Sequence, residues 1–251
     1  MPRVRLTVAY DGTAYSGFQR QPNGRTIQEE LEKALARVAG AVTIAGSGRT
    51  DAGVHAQGQV VHFDTDAARA PAEILRSANF YLPEDIAILE ASEAAPDFHA
   101  RTSAKSKRYR YTFWNDPVRP VLERRYVCHV PTPLDLPAMQ AAAAHLEGEH
   151  DFRSFASEIE PNKNAVRRIS SILLARDEAR IHLDVEANGF LYNMVRAIAG
   201  TLLDIGRGKH PPDWIREVVY ARDRRAAGET AEAKGLCLMR VDYPAAPAGR
   251  A

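Results

Sequence analysis

The predicted strands and helices follow the same order in both halves of the chain, and this repetition narrows the fold more than any other feature. In the first half, alternating apolar and polar residues predict strands over residues 3–10, 59–65 and 86–91, with a short strand over 41–45. Thr26 and Glu29 form a capping box that predicts the first helix, and Pro71 starts the second. The resulting order is β-α-β-β-α-β.

The second half repeats this order more loosely, without a residue-level repeat. We predict strands over 107–114 and 236–243, a hairpin of 168–175 with 180–187, and helices within 133–147, 190–206 and 211–221. Two such units would each bury one sheet face under helices. Their other faces could form one long floor, and a cleft between the units is the natural place for a ligand. We therefore expect an α+β fold with two domains, over residues 1–100 and 101–245.

Composition gives only broad limits on function. The 251 residues carry a formal net charge of +1, so a site for a polyanion has to come from local clustering of basic residues. Cys128 and Cys237 form no metal-binding or redox pair, and we expect two buried thiols in a reducing cytoplasm. The first residues alternate as a strand does and do not resemble a signal peptide, so the expected location is cytoplasmic. No apolar run is long enough to predict a membrane-spanning helix.

The stretch GSGRTDAGVHAQGQVVHF, from Gly46 to Phe63, places a charged pair, Arg49 and Asp51, on a glycine-rich loop before a strand. The loop lacks the third glycine of a dinucleotide-binding fingerprint. Glycines let the backbone approach a ligand closely, so Asp51 is a candidate catalytic carboxylate that Arg49 helps to place. The alternative from the residues alone is an ordinary polar turn, because Asp and Thr both favour turns.

Two histidines near this loop raise a second alternative. His55 and His62 could bind a metal together with Asp51, which would suit a metal-dependent hydrolase. His62 lies among apolar strand residues, however, and His55 is more simply explained as a hydrogen-bonding residue of the loop. We therefore predict no metal site.

Four segments of the sequence resemble motifs of one known protein family. GRTDAGVHAQGQV closely resembles the catalytic motif of the tRNA pseudouridine synthases of the TruA type, and YDGTAYSGFQRQ, KSKRYRYTFWN and GFLYNMVRAIAGTLLDIGRG resemble three further blocks of that family, in the same order. The resemblance implies two ferredoxin-like halves, a homodimer, and neither metal nor organic cofactor. It also implies modification of uridines at positions 38 to 40 of the tRNA anticodon stem-loop. The family's catalytic aspartate falls on Asp51, and its uridine-contacting tyrosine falls on Tyr109.

The chemistry of this reaction suggests roles for further residues. The target nucleotide must leave its helix, and an arginine such as Arg49 could fill the vacated space. Tyr109 could stack on the extruded uracil, although from the residues alone it is more simply explained as part of an aromatic strand face with Tyr111 and Phe113. A carboxylate in a closed pocket needs a cationic partner, and Arg196, in an otherwise apolar helix, is the candidate. The alternative for Arg196 is a surface position on an amphipathic helix.

Contact with tRNA phosphates is predicted from local positive charge. The run from residue 101 to 110 contains no acidic residue, and the predicted tRNA-binding residues are Arg20, Arg101, Lys105, Lys107, Arg108 and Arg110. Further basic residues that could extend this path are Lys163, Arg167, Arg168, Arg207 and Lys209. The same basic, aromatic strand would also suit a non-catalytic RNA-binding protein with tandem RRM-like units, which is the alternative to an enzyme.

Overall fold

The computed structural model describes residues 1–160 and 164–244. Within these residues the chain forms five α-helices and ten β-strands, which divide into two compact units. The first unit comprises Met1–Lys107 and, of the described residues, the chain from Leu238 onward; the second comprises Arg108–Cys237. These units differ from the domain limits expected from the sequence, 1–100 and 101–245, in two respects: the first unit extends to Lys107, and it includes most of the last strand.

The first unit has strands in the order β4-β1-β3-β10, with β2 beside β3. β1 pairs with both β3 and β4, and β2 with β3, all antiparallel. The elements of this unit are β1 (Arg3–Tyr10), α1 (Ile27–Ala39), β2 (Ala45–Gly46), β3 (His55–Asp64), α2 (Pro71–Tyr81), β4 (Ile86–Ala94) and, continuing into the second unit at one end, β10 (Leu236–Asp242).

Local sequence explains the elements around the first core. β1 alternates between half-buried and buried side chains, which include Leu6 at its centre. The Thr26 hydroxyl accepts a hydrogen bond from the Glu29 amide at 3.4 Å, so Thr26 caps the start of α1 as predicted. Gly40 ends the helix with a φ of 78°, which a glycine adopts without strain.

The second unit has strands in the order β5-β9-β8-β7, with β6 beside β5. β8 pairs with β7 and β9 antiparallel, whereas β5 and β6 are parallel. Its elements are β5 (Ser106–Trp114, which begins in the first unit), β6 (Cys128–His129), α3 (Leu136–Ala144), β7 (Gly148–Asp151), β8 (Val166–Asp177), β9 (Arg180–Ala187), α4 (Met194–Gly206) and α5 (Trp214–Ala221).

Several predicted boundaries were wrong for identifiable reasons. The predicted strand over 41–45 is reduced to β2 (Ala45–Gly46). The helix predicted from residue 190 begins at Met194, because Asn193 has a left-handed backbone with φ of 60° and cannot continue a helix. The short strand β7 was not predicted, since its residues GEHD lack apolar alternation.

The apolar residues of the second unit form its own core. Tyr111, Phe113, Phe152 and Phe155 are among the largest fully buried side chains of the described chain. Cys128 is a buried thiol as predicted, whereas Cys237 is only half-buried. Among the residues that the structure describes, none of the helices is long and apolar enough to cross a membrane.

Candidate active site

The loop of residues 47–54 joins β2 to β3 and carries Asp51. At its start, the Ser47 amide donates a hydrogen bond to the Val60 carbonyl on β3 at 2.8 Å. At its apex, the Val54 amide donates to the Asp51 carbonyl at 3.1 Å and closes a tight turn. Asp51 is partly exposed. The loop therefore presents its carboxylate-bearing residue on a turn with a defined backbone.

The segment that follows β1 supports the same turn. The Phe18 amide donates to the Thr50 carbonyl at 3.0 Å, and the Ile27 amide at the start of α1 donates to the Gly17 carbonyl at 3.2 Å. Gly17 has a φ of 97°, and a Cβ added there would lie 2.8 Å from the Thr50 carbonyl oxygen and 3.3 Å from the Asp51 carbonyl carbon. Only a glycine allows this approach. The N-terminal motif thus packs directly against the backbone of the loop.

A buried glutamine connects the loop to the strands beneath it. Gln59 on β3 is 0% exposed. Its side-chain oxygen accepts from the Ser47 hydroxyl at 2.6 Å, and its amide nitrogen donates to the Gly48 carbonyl at 3.1 Å and to the Tyr10 hydroxyl at 3.4 Å. The Tyr10 hydroxyl in turn lies 2.8 Å from the Thr50 hydroxyl. These bonds tie Ser47, Gly48 and Thr50, three loop residues near Asp51, to the interior of the sheet.

Lys107, at the start of β5, also reaches this loop. Its ammonium donates to the Ser47 carbonyl at 2.6 Å, and a Cβ added to Gly48 would lie 3.2 Å from the ammonium nitrogen. Burial, reinforced by the positive charge of Arg101, lowers the pKa of Lys107 to about 8. Lys107 therefore differs from a solvated surface lysine in both its contacts and its pKa.

Arg49 and Asp51 flank a buried residue. Thr50, between them, points into the interior and is buried, whereas Arg49 is exposed. The guanidinium of Arg49 thus lies on the solvent side of the loop, where it can meet a polyanion.

Tyr109 belongs to the second unit and lies on β5. It is only 8% exposed and makes an edge-to-face contact with Phe190, with ring centroids 5.0 Å apart. Tyr111 and Phe113 follow on the same face, with their ring centroids 4.8 Å apart. The Tyr111 hydroxyl donates a hydrogen bond to the Glu232 carbonyl at 2.9 Å. The predicted aromatic face of this strand is confirmed.

Arg196 lies in the first turn of α4, and its direction is fixed by two acceptors. Its Nε donates to the Ala231 carbonyl at 2.8 Å, and its Nη1 donates to the Asn193 side-chain oxygen at 2.8 Å. Asn193 is itself held, because its amide nitrogen donates to the Ser157 hydroxyl at 2.9 Å. Arg196 is half-buried, so its side chain is neither enclosed nor fully open to solvent.

The loop that accepts from Arg196 packs tightly on α4. The Ala231 amide donates to the Arg196 carbonyl at 3.1 Å. A Cβ added to Gly200, one turn further along the helix, would clash with the Glu229 carbonyl oxygen. The glycine in the sequence MVRAIAG therefore permits the close packing that orients the arginine.

Three of the predicted tRNA-binding arginines have carboxylate partners. Arg20 pairs with the buried Glu32 at 2.6 Å. Arg108 and Arg110 both pair with Asp184, at 3.3 and 2.8 Å. Although burial opposes its charge, the hydrogen bonds from Arg110 hold the pKa of Asp184 below its usual value. Each of these arginines therefore has an anionic partner within the protein.

The remaining basic residues differ in exposure. Arg101 and Lys105 are exposed, which suits a contact with phosphate. Lys209 pairs with Asp204 at 2.7 Å. The predicted contribution of Lys163 lies outside the described residues.

The two histidines of the metal alternative serve the structure. His55 accepts a hydrogen bond from the Gly12 amide through Nδ1 at 3.1 Å, and a carboxylate oxygen of Asp11 lies at the same distance from that nitrogen. His62 accepts from the Ala100 amide at 3.2 Å, and burial lowers its pKa. Over residues 1–160 and 164–244, no three His, Cys, Asp or Glu side chains are grouped to hold a metal ion.

Comparison with protein families decides the class of protein. A family model described as tRNA pseudouridine synthase matches residues 6–103 and 142–244. The matched residues include Asp51 and Arg196, whereas Tyr109 lies between the two matched stretches. The chain belongs to the tRNA pseudouridine synthase family. It is therefore an isomerase that converts uridine to pseudouridine in tRNA, and the alternatives of a non-catalytic RNA-binding protein and a metal-dependent hydrolase are wrong.

Individual relatives agree with this assignment. The tRNA pseudouridine synthase A of Moorella thermoacetica is 50% identical over 97% of this chain and 100% of its own length. That of Pelobacter propionicus is 48% identical over the same shares. A solved Cbf5-Nop10-Gar1 complex is similar over 94% of this chain and 48% of that chain, at 11% identity and a TM-score of 0.39, which is too low to support a conclusion.

Sequence reasoning missed two residues that organise this enzyme. Gln59 was read only as the start of a strand, and Asn193 only as part of a helix. The available signal for Gln59 was a polar side chain at a position that the alternation places inside the sheet. For Asn193 it was an Asn just before a helix, a residue type that tolerates the left-handed region.

Gln59→Leu is expected to loosen the loop. The change keeps the side-chain volume but leaves the Ser47 hydroxyl and the Gly48 carbonyl without their buried partner, so we expect a loss of about 1–3 kcal/mol in unfolding free energy. Isomerisation should slow in parallel. Thermal or urea unfolding and a turnover assay measure the two effects.

Gln57→Leu is the matched control, because Gln57 is exposed on the same strand. It should leave both quantities near the wild-type values. Equal stability of the Gln59 and Gln57 variants would contradict the structural role assigned to Gln59.

Proposed function

We propose that the enzyme isomerises uridines of the tRNA anticodon stem-loop, at positions 38 to 40, and that Asp51 is its catalytic carboxylate. The observation that carries the proposal is the construction of the loop: a partly exposed Asp51 on a turn whose neighbouring residues are hydrogen-bonded to β3 and to the segment after β1. A carboxylate held in this way is pre-positioned for a ribose. The choice of anticodon uridines rests on the family resemblance of the motifs.

The reaction needs little besides a positioned carboxylate. The bond between ribose C1′ and base N1 breaks, the base rotates, and C1′ bonds to C5, which loses its proton while N1 gains one. No atom or electron pair enters from a second reactant. Asp51 can serve either by attacking C1′ or by removing a ribose proton, and both routes require its ionised form.

Two further residues are proposed to handle the extruded nucleotide. A uridine in a paired stem must be flipped out at a cost of a few kcal/mol. Arg49, which is exposed beside Asp51, would fill the vacated space and bind phosphate or base. Tyr109 would stack on the uracil, and its contact with Phe190 fixes the plane of its ring.

Asp51→Ala is expected to abolish isomerisation while leaving tRNA binding near the wild-type value. Removing an essential catalytic carboxylate should lower turnover by about 10⁴-fold or more. The assay is tritium release from unmodified tRNA labelled at uracil C5, followed by mapping of the modified positions. A filter-binding measurement gives the affinity.

The exposed Asp66 supplies a matched control, since Asp66→Ala removes a carboxylate of the same unit without touching the loop. Turnover by Asp51→Ala at the control rate would end the assignment of Asp51. Tritium release from another arm of the tRNA would end the assignment of the anticodon stem-loop.

Arg196 is proposed to keep Asp51 ionised during the reaction. A cation near a carboxylate lowers its pKa, and a guanidinium oriented by Asn193 and Ala231 loses little entropy when it serves as that partner. Arg196→Ala should therefore reduce turnover by roughly 10²-fold, while tRNA affinity changes by less than about threefold. Single-turnover kinetics with a separate binding assay distinguish the two effects.

Arg216→Ala serves as the comparison, because Arg216 lies on the exposed side of α5. Wild-type turnover in Arg196→Ala would defeat the proposed pairing. A loss confined to affinity would make Arg196 a tRNA-binding residue instead.

Phosphate contacts are proposed mainly for the exposed Arg101 and Lys105. The other predicted contacts, Arg20, Arg108 and Arg110, have carboxylate partners within the protein and less charge to offer. Arg101→Ala and Lys105→Ala should each weaken tRNA binding and reduce the slope of log affinity against log salt by about 1. Titrations at several salt concentrations measure this slope.

Arg37→Ala, at an exposed position on α1, is the control for a general loss of charge. A salt slope equal to that of Arg37→Ala in both test variants would refute phosphate contacts by Arg101 and Lys105. The cytoplasmic location, the homodimer, and two ferredoxin-like halves that share a sheet floor and a central cleft stay predictions from the sequence.

A further inference from the structure

Lys107 was predicted from the sequence as a tRNA-binding residue, and in the structure its ammonium group contacts the loop that carries Asp51. The ammonium group donates to the Ser47 carbonyl at 2.6 Å and covers Gly48. Lys107 is half-buried, unlike its exposed neighbour Lys105. Its charge is therefore directed at the backbone of the loop that carries Asp51.

Ser47 is the anchoring residue of that loop. It is fully buried, and all its polar groups are engaged: its amide donates to Val60, its hydroxyl donates to Gln59, and its carbonyl accepts from Lys107. The first two partners lie on β3, the strand that the loop itself enters. Lys107 comes from β5, so its bond links the loop to a part of the chain distant in sequence.

Burial and one neighbouring positive charge both make it easier for the Lys107 ammonium to lose a proton. Arg101 is positive, and its charge adds to the effect of burial on Lys107. On β10, Arg240 and Asp242 pair with each other at 2.8 Å. Asp242 also accepts from Ser106, the residue before Lys107.

We propose that Lys107 is a positioning residue for the catalytic loop, whose ammonium holds the Ser47 carbonyl and thereby Asp51, so that turnover falls when this ammonium loses its proton. The proposal rests on the proposed role of Asp51 in catalysis. A charge-assisted hydrogen bond is roughly twice as strong as a neutral one, so deprotonation weakens the link without removing it.

The direction of the pH effect on stability distinguishes the expected fall in turnover from unfolding of the protein. The pKa of Lys107 lies at about 8 in the folded protein, against 10.5 for an ordinary lysine. At a pH between these two values, Lys107 is protonated more often in the unfolded chain than in the folded protein. The contribution of Lys107 to the free energy of unfolding therefore rises with pH. Turnover should fall over the same range because the folded protein loses the charge on Lys107.

The test compares single-turnover rates from about pH 6 to about pH 9.5, on either side of the Lys107 pKa. The wild-type rate should fall roughly five- to tenfold as pH rises through about 8. Lys107→Met should be slow by a similar factor at every pH and lack this fall. Lys107→Arg, which stays charged, should restore part of the rate without the pH dependence.

Amide hydrogen exchange of the tRNA-free protein tests the link without reference to catalysis. Lys107→Met should speed exchange in the peptide that covers residues 46–56, because the loop loses an anchor. Lys33→Met, on the exposed surface of α1, is the matched control and should change neither exchange nor turnover.

The outcomes separate the competing roles. Wild-type loop exchange in Lys107→Met overturns the proposal. So does a weaker tRNA affinity with an unchanged rate and pH profile, which would make Lys107 a phosphate contact. If Asp51→Asn, assayed in parallel, keeps the wild-type rate, the proposed function fails on its own, and loop exchange still decides whether Lys107 anchors the loop.

Discussion

Buried polar side chains that bind the backbone of the Asp51 loop are the interaction on which the candidate site depends. Glycines at 46, 48 and 53 make this loop adaptable, and an adaptable loop does not by itself hold a carboxylate in place. Gln59 supplies the missing constraint, because it bonds to Ser47 and Gly48 from inside the sheet. Each of these bonds would leave a buried polar group unsatisfied if broken, which costs about 1–3 kcal/mol. The loop that carries Asp51 is therefore rigid because breaking its hydrogen bonds to Gln59 is energetically costly.

In the second unit, hydrogen bonds likewise hold a charged side chain in place, that of Arg196. Arg196 has a long side chain with considerable rotamer freedom, which would blur the position of its charge. Asn193 and the Ala231 carbonyl each accept one of its donors and reduce that freedom. Gly200 makes the arrangement feasible by letting the backbone of Glu229 lie against α4. A fixed carboxylate loop and a fixed guanidinium are both useful to an isomerase whose chemistry needs positioned charge and no second reactant.

Local sequence patterns predicted the elements well and the side-chain contacts poorly. The alternation in β1, the Thr26 cap and Gly40 fix one strand and one helix because the signals act within a few residues. The start of α4 was wrong because its cause, the left-handed Asn193, is a backbone choice at a single residue. Gln59 and Lys107 could not be assigned to the loop because their partners are set by strand pairing. The motif could identify Asp51 as a candidate, whereas the residues that hold its loop emerge only in three dimensions.

The basic residues show why charge counted along a sequence overstates charge offered to RNA. Arg20, Arg108 and Arg110 are paired with Glu32 or Asp184, and Lys107 is committed to a carbonyl within the protein. A guanidinium that already binds a carboxylate adds little to the release of counterions from a phosphate backbone. Arg49, Arg101 and Lys105 are exposed, as are Arg168 and Arg207, and contacts of this kind give salt-sensitive attraction. For a chain of net charge +1, we therefore expect recognition of tRNA to depend on the shape of the RNA as well as on its charge.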